Sequence, residues 1–102
     1  MNKIEHLLVC LSEECSEVIK LVDKSLRFGI ESDYLGDLKG TNKQEIIKEL
    51  NDIQSVIELL NDNGIDLQPN SLDEQEIAIE KKKTKVLRYM EYAKSIGTLR
   101  ED

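Results

Sequence analysis

The sequence predicts an all-α fold: a helical bundle of three long helices per chain, completed by a short helix or by homo-oligomerisation. Three observations carry this expectation. Helix formers dominate a 102-residue chain that contains one Pro and five Gly. Apolar residues recur at three- and four-residue intervals over three long stretches, the spacing of one face of a helix. The period-two alternation of a half-buried strand is absent.

The first helix is expected from residue 3 to about 27, with Ile4, Leu7, Leu8, Leu11, Cys15, Val18, Val22 and Leu26 at helical spacing. Phe28-Gly29 closes it, with Gly at a natural C-terminal position. Residues 30–40 mix Asp, Gly, Tyr and Leu and read as a loop with room for one short turn. A second helix starts near Thr41-Asn42, where Asn42 can cap and Glu45 follows three residues on. It runs through Ile46, Ile47, Leu50, Ile53, Val56, Ile57 and Leu60 and stops at Asn63-Gly64. After Pro69, Ser71-Leu72-Asp73-Glu74 has the pattern of a capping box for a third helix reaching about Ser95 or Ile96.

The length fits a single domain spanning 1–102, with a core modest enough that burial against a second copy is expected. The chain carries 21 Asp and Glu against 14 Lys and Arg, a formal charge of −7. That balance argues against a nucleic-acid polymer as partner, since phosphate recognition by bulk charge wants a basic face. No apolar run approaches the ~20 residues of a membrane span, and the N-terminus lacks the pattern of a signal peptide. Cys10 and Cys15, five apart on one helix, point to different sides of it and are poorly placed to bridge. Free thiols of this kind suit a reducing cytoplasm. The two cysteines with His6 fall short of the four ligands of a structural zinc site.

Position on the helical wheel sorts the acids. Glu14 falls inside the apolar arc of the first helix, between Leu7 and Leu21, and Glu17 lies at its edge, whereas Glu13 points away. On the second helix Glu49 lies between Ile53 and Val56, with Asp52 at the border. Two helices thus each carry a carboxylate pair three residues apart, one member of each inside the greasy stripe. A single such pair is ordinarily a boundary feature meeting Lys or Arg from another helix. Two pairs facing inward need compensation, because an unpaired buried carboxylate costs several kcal/mol. A hard divalent cation compensates well, since it takes oxygen ligands from neighbouring positions of one helix face. The third helix carries the same anomaly with opposite sign. Lys82 and Lys83 fall in an arc with Ile79, Val86, Tyr89, Met90 and Ala93. Lysines there can snorkel to solvent or reach an anionic group held by a metal. Lys24 and Arg27 extend a cationic rim at the end of the first helix, where they also favour the helix dipole.

Leu11-Ser12-Glu13-Glu14-Cys15-Ser16-Glu17-Val18 and Lys48-Glu49-Leu50-Asn51-Asp52-Ile53 resemble the paired Glu-x-x-Glu and Glu-x-x-Asp motifs of the MazG-like nucleotide pyrophosphohydrolases, an all-α superfamily. Lys24-Ser25-Leu26-Arg27-Phe28-Gly29 looks like the segment after the first motif in small phage and bacterial members, and Lys82-Lys83-Thr84-Lys85-Val86 with Tyr89 looks like their last helix. The resemblance covers nearly the whole chain. It implies Mg²⁺-dependent hydrolysis (Mn²⁺ being a possible substitute) of nucleoside triphosphates, dNTPs above all, to the monophosphate and pyrophosphate. By position, it implies Glu14, Glu17, Glu49 and Asp52 as metal ligands and catalytic carboxylates. Lys82 or Lys83 would contact phosphate, with Lys24 and Arg27 as secondary candidates, and Tyr34 and Asn42 would line the base pocket. A homodimer or homotetramer acting on a small nucleotide, away from membranes, is the expected assembly. Thirty-one residues separate Glu17 from Glu49, a longer spacer than in compact members, and the extra length falls in the loop. Two other readings share these residues: a non-catalytic helical module that binds nucleotide or protein, and a phosphoribosyl-ATP pyrophosphohydrolase.

Overall fold

A computed structural model of the chain describes residues 1–33 and 40–101. Among them the regular elements are three helices: α1 (Lys3–Phe28), α2 (Asn42–Asp62) and α3 (Leu72–Ser95). The all-α expectation holds. Tyr34 lies outside the described residues, as does most of the segment where a short additional helix was expected. The chain divides into two compact units, Met1–Gln68 with α1 and α2, and Pro69–Asp102 with α3.

Local chemistry sets the bounds of α1. The Asn2 side chain accepts from Glu5 N at 2.8 Å, relieving one of the orphan donors at the helix start. At the other end Gly29 takes a positive φ of 104°, which costs a glycine little, and donates its N–H to Ser25 O at 2.8 Å.

The start of α2 differs from expectation by one residue. Thr41, not Asn42, is the cap: Thr41 Oγ1 accepts from Gln44 N at 3.2 Å, and Thr41 N donates back to Gln44 Oε1 at 2.9 Å. Gly40 makes room for this box, because a Cβ there would stand 2.6 Å from Gln44 Oε1. The reason for the shift is tertiary. Asn42 is fully buried, and its Nδ2 donates to Gly29 O at 2.9 Å, tying the start of α2 to the end of α1. Asn42 N donates to Ser32 O at 2.8 Å and Lys43 N to Ile30 O at 2.9 Å, so both ends of the connecting loop are knitted together. Removing the amide takes away one of the two donors to the Gly29 carbonyl, which also accepts from Ser32 N at 3.1 Å, and cuts the side-chain tie between the two helix ends. Asn42→Ala is therefore expected to lower the unfolding free energy by about 0.5–1.5 kcal/mol, the net worth of one hydrogen bond. An unshifted urea midpoint would show that this bond contributes nothing.

The same bond fixes the direction of the hairpin. The end of α1 meets the start of α2, while Glu14 in mid-α1 meets Glu49 and Asp52 farther along α2, so the two helices run antiparallel. α2 ends where its sequence signals end it, with Asn63 Nδ2 donating to Leu59 O at 2.7 Å and Gly64 at a φ of 95°. For α3 the expected cap residue is in place but only half of its box forms: Ser71 Oγ accepts from Glu74 N at 3.1 Å, with no return bond from Ser71 N to the Glu74 side chain among the described residues.

Burial is sparse. Leu21 and Leu60 are the buried apolar residues of the hairpin, joined by Asn42. Two helices share one seam, so the expected stripe is only partly covered: Leu7, Leu11, Val18, Ile46, Ile53, Val56 and Ile57 are half-buried, while Leu8, Val22, Leu26, Ile47 and Leu50 are exposed. No residue of α3 is buried, as expected of a helix that is the sole regular element of its unit. Among the described residues no helix is long and apolar enough to cross a membrane.

Candidate metal centre

The α1–α2 seam brings Glu14 together with Glu49 and Asp52. One carboxylate oxygen from each lies within 4.8 Å of the others, all three side chains being partly buried. The helical repeat explains the meeting. Glu49 and Asp52 stand three apart on one face of α2, and Glu14 occupies the facing stripe of α1.

The three are not equally solvated. The Glu49 side chain is 12% exposed against 40% for Asp52, and Glu49 Oε2 is buried without a hydrogen-bond partner. An oxygen withdrawn from solvent in this way favours a proton or a cation beside it. Glu14 responds to this crowding. Its carboxyl pKa is pushed up to about 7, first by a hydrogen bond with the Glu49 side chain, then by desolvation and by the negative charges of Glu49 and Asp52. Neighbouring carboxylates this close favour a shared proton. The Lys48 ammonium opposes the shift. Lys48 Nζ lies 3.3 Å from Asp52 Oδ2 and 3.6 Å from Glu49 Oε1, and its own pKa is raised, chiefly by the hydrogen bond to Asp52.

Hard oxygen donors, mutual proximity and one orphaned buried oxygen make this set fit a small divalent cation such as Mg²⁺ or Mn²⁺. Zinc fits less well, because its structural sites favour thiolate and imidazole. Cys10 and Cys15 are free and His6 lies near the start of α1, two turns or more before Glu14.

The other expected site residues fall elsewhere. Glu17, one turn beyond Glu14, is not in the three-carboxylate cluster; its Oε1 pairs with Lys20 Nζ at 3.2 Å. Lys24 and Arg27 lie ten and thirteen residues past Glu14, about 15 and 20 Å along α1. Arg27 rests its guanidinium 5.1 Å from the Phe28 ring centre. Asn42 is enclosed at the hairpin end, where its amide nitrogen already serves Gly29, so its observed work is in the fold. Lys82 and Lys83 belong to the second unit and line an open hollow on α3 with Ile79, Val86 and Leu87, Lys83 pairing with Glu80 at 3.1 Å. Lys48 is the residue sequence reasoning passed over. Its four-residue spacing to Asp52 was the available signal.

No family model, curated protein or solved structure matches the chain.

Proposed function

We propose that this chain is a Mg²⁺-dependent nucleoside triphosphate pyrophosphohydrolase of the MazG-like type, converting a nucleotide, in the first place a dNTP, to its monophosphate and pyrophosphate. The observation that carries the reading is the meeting of Glu14, Glu49 and Asp52 oxygens within 4.8 Å on the seam of two helices. The motif resemblance selects the reaction class.

In this reading Glu14, Glu49 and Asp52 hold the ion. Glu17 joins them by turning away from Lys20, a surface pair that costs little to break. A bound Mg²⁺ supplies charge neutralisation for triphosphate oxygens and lowers the pKa of a coordinated water. The chain's own part is to orient: one carboxylate of the cluster aligns the water that adds at the α-phosphorus as the bond to the bridging oxygen of pyrophosphate breaks. By the motif resemblance, Lys82 or Lys83 is the candidate to neutralise phosphate oxygens, with Lys24 and Arg27 as secondary candidates.

The active form is a homodimer or homotetramer. Leu8, Val22, Leu26, Ile47 and Leu50 on the hairpin are exposed, as are Leu87 and Met90 on α3, and a second copy would cover such side chains. Light scattering at micromolar concentration is expected to give two or four times the 11.7 kDa chain mass; a monomer removes this part of the proposal. Free Cys10 and Cys15 suit a reducing compartment, in keeping with a cytoplasmic nucleotide substrate.

A pyrophosphate-release screen over the common NTPs and dNTPs, dUTP and phosphoribosyl-ATP, with and without Mg²⁺, tests the reaction and the substrate together. Release that needs Mg²⁺ supports the proposal. Silence across the whole panel ends it.

A further inference from the structure

Lys48 directly precedes the second acidic pair, and its place in the fold sets it against that pair. Three carboxylates crowd within 4.8 Å, and among the described residues Lys48 is the cation paired with them, reaching both Asp52 and Glu49. It does so from the solvent side: its side chain is 62% exposed, whereas the Glu49 carboxylate is nearly enclosed and keeps Oε2 without a partner. The ammonium therefore relieves the outer edge of the cluster and leaves the inner oxygen untouched.

An exposed lysine on a flexible stem is a weak, readily exchanged partner. A divalent ion seated among the same oxygens carries twice its charge and repels it. The two cations compete for Asp52 and Glu49, and only the lysine has an alternative place to go, since its stem can swing outward to solvent.

We propose that Lys48 is a resident counter-cation of the carboxylate cluster, holding Asp52 and Glu49 together while no metal is bound and leaving them when a divalent ion enters. This rests on the metal-binding reading above and adds a tuning element to it. The lysine offsets part of the negative charge of the metal-free cluster, and by competing it weakens metal affinity. Once displaced, it stands at the site's outer edge as a free positive charge, in position to meet the phosphates of an incoming nucleotide.

Mn²⁺ titration of the full chain, followed by the loss of free-ion electron paramagnetic resonance signal with no nucleotide present, tests the inference. Lys48→Gln is expected to bind Mn²⁺ about three- to tenfold more tightly than the wild type, the scale of relieving one nearby, partly screened like charge. Lys48→Arg keeps the charge and is expected to stay within about twofold of the wild type, which separates charge from the mere loss of a long side chain. Both variants sit on an exposed helical position and should keep the wild-type far-ultraviolet circular dichroism. If Lys48→Gln binds no more tightly than the wild type while Glu49→Gln abolishes binding, the competitor role is overturned and the metal site stands. If the wild type takes up no Mn²⁺, or Glu49→Gln binds as well as the wild type, the metal reading itself falls and the competitor role falls with it.

Discussion

Glu49→Gln is expected to reduce pyrophosphate release at least ~100-fold, more than the 10- to 100-fold that altering an outer-shell partner of a metal typically costs. Glutamine keeps the size and one oxygen of the side chain but removes the charge a hard cation binds. Glu14→Gln is expected to follow it, and Glu17→Gln as well if the fourth carboxylate turns into the site as proposed. The control is stability. Glu49 holds a nearly enclosed charge with one unpartnered oxygen, so neutralising it should leave the metal-free protein as stable as the wild type or more so. Lost activity with an unchanged or raised melting temperature places the defect in the chemistry. Wild-type rates in both Glu14→Gln and Glu49→Gln would remove the enzyme reading, and retained nucleotide binding without turnover in the wild type would favour a binding module.

Much of the framework was legible because helix signals are local. Ser71 caps α3 as its pattern requires, and Gly29 and Gly64 close α1 and α2 where a positive φ is needed. The start of α2 slipped by one residue because Thr41 and Asn42 are both capping types, and the choice between them is made by a bond thirteen residues away, from Asn42 to Gly29. Apolar periodicity identified which faces are greasy but not what covers them, so a full stripe was expected where only Leu21 and Leu60 are enclosed. For the acids, the wheel was more telling than the count. Glu14, Glu49 and Asp52 interrupt the facing stripes and come together, while Glu17, at the edge of its arc, finds Lys20 on its own helix. Lys48 was missed because a lysine next to a glutamate reads as solvated surface until the opposing helix is in place.

The melting temperature of the metal-free protein is expected to fall as pH rises from about 4.5 to about 7, and Mg²⁺ is expected to reverse that trend. The sign follows from Glu14. In the unfolded chain its carboxyl loses its proton near the ordinary 4.5, whereas in the fold the proton is retained to about 7 by the hydrogen bond with Glu49, desolvation and the neighbouring negative charges. Between those values the folded chain binds more protons than the unfolded one, so stability declines with rising pH. The contribution is fully present below 4.5 and gone above 7. Other carboxylates and the net charge also slope this window, so the diagnostic quantity is the difference between wild type and Glu14→Gln, which lacks the titrating group and should show a shallower decline. Mg²⁺ inverts the dependence because it binds the deprotonated carboxylates, so its affinity rises with pH as the shared proton leaves. At a concentration ~100 times its dissociation constant the ion adds about 2.7 kcal/mol, a rise on the order of 10 °C for a chain of this size. That rise should be large at pH 8, small at pH 5 and absent in Glu49→Gln. A Mg²⁺-induced shift of equal size at both pH values, or one that survives in Glu49→Gln, would place the ion away from these three carboxylates.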